Sequence, residues 1–248
     1  MQPGEYERSY ALEAEHWWFR AKRALIMSLL RRFAPGARHG LDLGCGTGGM
    51  LAELAREPAG TVWVGLDAEA LALAFARRRG GDQLVQASAV RLPFRAESFD
   101  TCLCLDVLYH RAVDSDRAAL GECHRVLRGN GLLLVTDSAF AWLRSAHDEA
   151  VHGARRYTRG ELLARIRAAG FTPLFTSYAY CLVFPAVVAF RLARRVGGTA
   201  GRGSDVFPVP GPVTRLLSGV QALERGLLRL IPLPFGSSVV CVARKAPG

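Results

Sequence analysis

Acidic side chains nearly vanish after Glu149. Residues 151–248 hold 3 of them against 14 arginines and lysines, a net of +11, whereas residues 1–150 hold 18 basic and 19 acidic groups, a net of −1. So lopsided a chain suits an anionic partner, whether phosphate, membrane surface or nucleic acid. Cysteine pairing is also missing. The six cysteines (45, 102, 104, 123, 181 and 241) form no C-x-x-C pair and no metal spacing, which argues against a zinc module or disulfide framework and for reduced thiols in the cytoplasm. Cys102 and Cys104 alternate on one strand face, a core-packing pattern. The N-terminal residues lack the apolar stretch of a signal peptide. No run reaches the roughly 18 apolar residues of a spanning helix, and no internal repeat is visible. What remains is a chain of 248 residues, half of them hydrophobic, enough for one substantial domain with an insertion.

The densest signal is Leu41-Asp-Leu-Gly-Cys-Gly-Thr-Gly-Gly49, followed by Asp67 at the end of the next apolar run, 23 positions after Gly44. A buried strand runs into a turn with glycines at 44, 46 and 48, and a helix starts near Gly49. Glycines there allow a tight turn and let a ligand approach the main chain without meeting a Cβ. The helix-start N–H groups suit an anion. Asp67 stands where a carboxylate accepts from the two hydroxyls of a ribose. These residues together predict a nucleoside-containing cofactor.

The turn reads Gly44-Cys-Gly46-Thr-Gly48, not the Gly-x-Gly-x-x-Gly of dinucleotide binders. With Asp42 before it, it resembles motif I of the class I S-adenosylmethionine-dependent methyltransferases. Three further blocks follow in that family's order: Val62-Trp-Val-Gly-Leu-Asp67, then Arg91-Leu-Pro-Phe94 with Ser98-Phe-Asp100, then Arg125-Val-Leu-Arg-Gly-Asn-Gly131. The resemblance implies S-adenosyl-L-methionine as cofactor and S-adenosyl-L-homocysteine as product. It places the backbone of Gly44, Cys45, Gly46 and Gly48, together with Asp67, Ala68, Ser88 and Ala89, on the cofactor. Ser88 stands where the family usually has an acid for the adenine amino group, so a weaker contact is expected. Leu105 and Asp106 fall near the methionine moiety. Asp42 reads as a buried acid at that end, or as a residue that orders the turn.

Strands are expected near 40–43, 61–66, 83–87, 99–105 and 131–136, with helices near 49–57, 68–79, 115–128 and 159–169. This alternation predicts an α/β fold, a Rossmann-like doubly wound seven-stranded sheet. Residues 1–35 read as an N-terminal helical cap, and 36–178 with 236–248 as the core. Residues 179–235 form a helical insertion between the last two strands, which in this family are normally joined by a tight hairpin. It opens with the apolar run Tyr178–Phe190, broken by Pro185, continues with Arg191, Arg194 and Arg195, and passes through a Gly/Ser/Pro-rich linker (197–212) to an amphipathic stretch, Val213–Leu230. It suits an interfacial helix on the inner face of a membrane, and equally a lid over the site or a dimer contact. The oligomeric state is not legible.

On the acceptor side, His110 follows strand four and reads as a base or as a helix-end histidine bonded to a carbonyl. His147 and Asp148, then Tyr157, stand in Ser145-Ala-His-Asp-Glu and Arg155-Arg-Tyr-Thr-Arg159. These blocks, with His16-Trp-Trp-Phe-Arg20, are similar to a bacterial subgroup of the family, many of whose members look associated with envelope-glycan or polyprenyl-linked assembly. Two histidines, a carboxylate and paired arginines suit a phosphate or glycan hydroxyl, and a solvated capped loop accounts for them as well. No metal is expected, since His147, Asp148 and His152 fit no common ligand spacing. The leading expectation is methyl transfer to a hydroxyl or amine of a small-molecule or lipid/glycan-linked acceptor. An RNA methyltransferase is the second reading, disfavoured by the absence of an Asn-Pro-Pro-Tyr-like sequence after strand four. A catalytically silent cofactor-binding partner protein is the third.

Overall fold

The computed structural model describes residues 2–57, 60–196 and 207–247. The linker at 197–206 and the side chains of Arg194 and Arg195 lie outside them. Elements follow in the order α1 (Pro3–Leu12), α2 (Trp17–Phe33), β1 (His39–Leu43), α3 (Gly49–Leu54), β2 (Val62–Asp67), α4 (Ala70–Arg78), β3 (Leu84–Gln86), β4 (Phe99–Leu105), α5 (Asp116–Val126), β5 (Leu127–Ser138), α6 (Ala146–Ala150), α7 (Arg159–Ala168), β6 (Phe171–Ala179), α8 (Phe184–Val196), α9 (Gly211–Leu227) and β7 (Ser238–Lys245). The sheet runs β3-β2-β1-β4-β5-β7-β6. The β1–β2, β1–β4, β2–β3 and β4–β5 pairings are parallel, while β7 is antiparallel to β5 and β6. Strand order reverses between β1 and β4, and such a switch point opens a crevice at the carboxyl ends of the strands.

Helices cover both faces, so the central strands read as nearly continuous apolar runs. On β4, Cys102 and Cys104 face one core with Leu120, Cys123, Leu162 and Ile166. Leu103 and Leu105 face the other with Leu25, Ile26 and Leu29 of α2. Ile26 is fully buried, and burying such a side chain contributes roughly 1.5–3 kcal/mol. The six cysteines are buried free thiols. The Cys102 and Cys104 thiols are pushed well above their usual range, Cys102 first by its Cys123 contact and Cys104 first by burial, which leaves them inert packing groups.

Local sequence explains most boundaries. Thr158 and Glu161 form a reciprocal capping box at the start of α7, and Gly170 ends it with φ of +88°, the left-handed C′ position. Ser145 and Asp148 cap α6 in the same way, where the sequence suggested a loop. The run at 178–190 is not one segment. Its first residues finish β6, and Pro185 sits in the first turn of α8, where a missing N–H costs nothing. The cap is two helices, and α2 packs on α9. Glu224 of α9 is buried, and its carboxylate accepts from the backbone N–H groups of Tyr180 and Leu182, tying the insertion to the end of β6.

Candidate active site

Gly44, Gly46 and Gly48 all have positive φ. A Cβ on Gly48 would approach Ala76 Cα to 2.9 Å, so glycine there lets the turn pack on α4, whereas a Cβ on Gly46 would meet nothing within 4 Å. The turn is therefore open at Gly46. Its N–H donates to Asp67 Oδ2 at 2.9 Å, and Glu69 N–H donates to Oδ1 at 3.0 Å. Burial raises the Asp67 carboxyl and these two hydrogen bonds oppose the rise, with a net upward shift.

Carboxylates gather at the tips of β1, β4 and β5. Asp42 is almost fully buried, lines the cavity, and its Oδ2 has no hydrogen-bond partner among the described residues. Desolvation, opposed by the charge of Lys22, pushes its carboxyl up to about 7. Asp106 has φ of +56° and accepts from Lys22 Nζ at 2.6 Å and from Thr136 Oγ1 at 3.2 Å. Buried Asp137, raised by burial and then by Asp106, accepts from the N–H groups of Tyr109 and Ser138.

One cavity of about 460 Å³ joins these groups to the cap and the insertion. Asp42, Gly44, Cys45, Gly46, Leu105 and Asp106 line its floor. Tyr6, Glu13, Trp17, Trp18 and Lys22 line the cap side, and Val183, Val187, Phe190, Phe207 and Leu217 form an apolar wall from the insertion. His147, Asp148, Arg156 and Arg191 add polar groups. Arg191 is anchored by donating to the Leu143 carbonyl oxygen.

Residues 41–135 match the family model of a methyltransferase domain, on the strand order and glycine turn just described. The segment 41–135 is a methyltransferase domain. A Mycobacterium tuberculosis protein named "Probable S-adenosylmethionine-dependent methyltransferase" is 29% identical over 166 residues, 64% of this chain and 57% of that protein. The fatty-acid O-methyltransferase of Mycolicibacterium smegmatis is 38% identical over 103 residues, 40% of this chain and 36% of that protein. The chain thus spans less than two thirds of either relative. A SAM-dependent methyltransferase of Thermotoga maritima shares the fold, with a TM-score of 0.58 over 98% of this chain and 95% of that chain at 21% identity.

The residues of this domain and its cavity fit S-adenosylmethionine. The unpartnered, buried Asp42 Oδ2 suits a cation such as the α-ammonium of the cofactor. The open Gly46 leaves room for close approach, and the Asp67 carboxylate has lone pairs beyond those used by the turn. The expected cofactor residues divide in two. Asp42, Gly44, Cys45, Gly46, Leu105 and Asp106 line the cavity, while Gly48, Asp67, Ala68, Ser88 and Ala89 are not among its lining residues. Helix α1 forms the wall on the α4 side, where Tyr10 packs on Phe75 at 4.8 Å.

The expected catalytic residues divide as well. His147 and Asp148 line the cavity, but the Asp148 carboxylate is held by Arg156 at 2.8 and 3.0 Å. Burial would raise it; the hydrogen bonds and charge of Arg156, with the Ser145 N–H, keep it below the usual range. It is a paired anion that positions Arg156. Tyr157 is buried away from the cavity, its hydroxyl within hydrogen-bond reach of the Leu108 carbonyl oxygen and Asp116. The geometry gives it a packing role in place of the expected catalytic one. His110 turns from the cavity, with Tyr109 lining it instead. Its Nδ1 accepts from Ala112 N–H at 3.1 Å, and burial, followed by nearby positive charge, lowers it to about 4, too low for an effective base near neutrality. Lys22 and Glu13 were not singled out from the sequence. Lys22 carried a signal, being one of two lysines in an arginine-rich chain.

Proposed function

We propose that the protein is an S-adenosylmethionine-dependent O-methyltransferase whose acceptor has an apolar body and ends in an oxygen nucleophile, best a carboxylate. The observation behind this reading is a cavity in which the glycine turn and Asp106 face an apolar wall built by Val183, Val187, Phe190, Phe207 and Leu217. The cofactor supplies an activated methyl group. The chain's part is to align the acceptor and keep water out. A carboxylate acceptor brings its own negative charge and needs no general base. That matches a site where Asp148 is paired and where His110 and Tyr157 stand outside the lining. Arg191 adds positive charge to the wall. The name of the fatty-acid O-methyltransferase relative points the same way. A hydroxyl acceptor would call instead on His147.

The test is methyl-labelled cofactor with purified protein and a panel of long-chain acids, long-chain alcohols and short soluble acids. Label that partitions into organic solvent and is released by mild alkali supports a methyl ester. Alkali-stable organic label shifts the acceptor to a hydroxyl. Label on the short acids alone would remove the apolar acceptor.

A further inference from the structure

Among the described residues, the three most exposed large apolar side chains are seven residues apart. Leu216, Leu223 and Leu230 are 67%, 62% and 80% exposed. Val213 is also exposed and Leu227 half-buried beside them, at i+3 or i+4 spacing, so α9 and the turn after it carry a second apolar stripe. The first stripe, with Leu217, Val220 and Leu228, packs into the core with α2. The two stripes lie about 100° apart around the helix. Ile231 is also exposed just beyond.

Charge selects what covers this stripe. Arg215, Arg225 and Arg229 are the charged side chains of residues 207–235 besides Glu224, and Glu224 is buried on two backbone N–H groups. A second copy docked on the stripe would set arginine against arginine. A nucleic acid would use the arginines and leave the leucines in water. An anionic lipid surface uses both, with leucines among acyl chains and guanidinium groups among headgroups. We infer that the outer face of α9 docks the protein on an anionic bilayer, lying in the interface. No helix among the described residues is long and apolar enough to cross a membrane. Phe190 and Phe207 meet at 5.8 Å, line the cavity and are themselves partly exposed. The cavity's apolar wall therefore reaches the surface within the docking insertion.

The test is co-sedimentation of the full chain with vesicles of phosphatidylcholine alone and with added phosphatidylglycerol, at low and high salt. Methyl transfer is not read, so failure of docking and failure of the acceptor assignment stay distinguishable. Binding should need phosphatidylglycerol and weaken with salt. Leu216→Glu with Leu223→Glu should lower it about tenfold or more, and Arg215→Gln with Arg225→Gln and Arg229→Gln should lower it comparably. Cofactor affinity and thermal midpoint should stay unchanged in both variants. No binding at low salt, or equal binding to both vesicle types, would overturn the inference. So would a wild-type dimer that the leucine variants dissociate.

Discussion

Lys22 Nζ lies 2.6 Å from Asp106 Oδ2, joining α2 of the cap to the tip of β4 across the cavity floor. Both side chains are mostly buried, so the pair is weakly screened. Lys22 also opposes the rise of the Asp42 carboxyl. Removing the ammonium should therefore disturb two carboxylates on the cofactor side. Lys22→Met is expected to weaken cofactor binding by about tenfold or more, since hydrogen bonds to charged groups are worth roughly 1.5–3 kcal/mol. Calorimetric titration checks this. An unchanged affinity would reduce the pair to an attachment of the cap.

Asp42 should make cofactor binding depend on pH near neutrality. Its carboxyl sits at about 7, raised by burial, and a bound ammonium group would lower it by favouring the charged form. Protons and cofactor then compete. Binding should plateau above that value and weaken as pH falls through it, by at most about tenfold per pH unit. Asp42→Asn should bind more weakly and lose this dependence. A flat wild-type profile would assign the ammonium to other groups.

Asp67 holds the turn and is the expected ribose acceptor. One oxygen already accepts from Gly46 N–H at 2.9 Å, so Asp67→Ala removes an anchor of the turn along with that expected acceptor. Cofactor affinity should drop at least about tenfold, from the loss of hydrogen bonds to a charged group worth roughly 1.5–3 kcal/mol. If titration of the variant matches wild type, the ribose assignment is lost.

Asp148 and Arg156 form a bidentate pair whose side chains are 4% and 5% exposed. Asp148→Ala would strand a buried guanidinium and should cost about 3–5 kcal/mol, read as a lower midpoint in urea unfolding. Asp148→Asn, which keeps one acceptor oxygen, should cost less. The carboxyl is held below its usual range in the folded chain. Its contribution is therefore present above the unfolded value of about 4 and disappears as pH falls through the folded value. The acid limb of the wild-type stability profile should flatten in Asp148→Ala.

The glycine turn, the place of Asp67 at the end of β2 and the alternating strands were legible because each is a local statement. This turn needs positive φ at alternate positions, and a buried strand needs an uninterrupted apolar run. His110 shows where that reading stops. Its place after β4 follows from the chain, but the direction of its ring depends on how Val107–Val113 packs, which spacing does not encode. Asp148 looked like an acid for catalysis because its partner eight residues on was one of two adjacent arginines. Only the fold decides that Arg156 pairs with it while Arg155 donates to the Val113 carbonyl oxygen. Pro185 misled in the same way, since a helix breaker and a first-turn proline look alike until the helix start is known. The Asp106 contact of Lys22 spans 84 positions and left no trace beyond the rarity of lysine.

The shape of the apolar wall should limit acceptor size. Ala186 lines the cavity from α8 and is itself exposed, so a larger side chain there can project into the chamber without overpacking the core. Ala186→Trp should raise KM for long-chain acceptors and leave short-chain acceptors and cofactor affinity nearly unchanged. Each methylene denied burial is worth about 0.8 kcal/mol, so excluding two should raise KM roughly tenfold. The chain-length series is the decisive comparison. A uniform loss across all lengths would mean that the substitution disturbs the reacting end, and no loss at any length would place the acceptor chain along another wall.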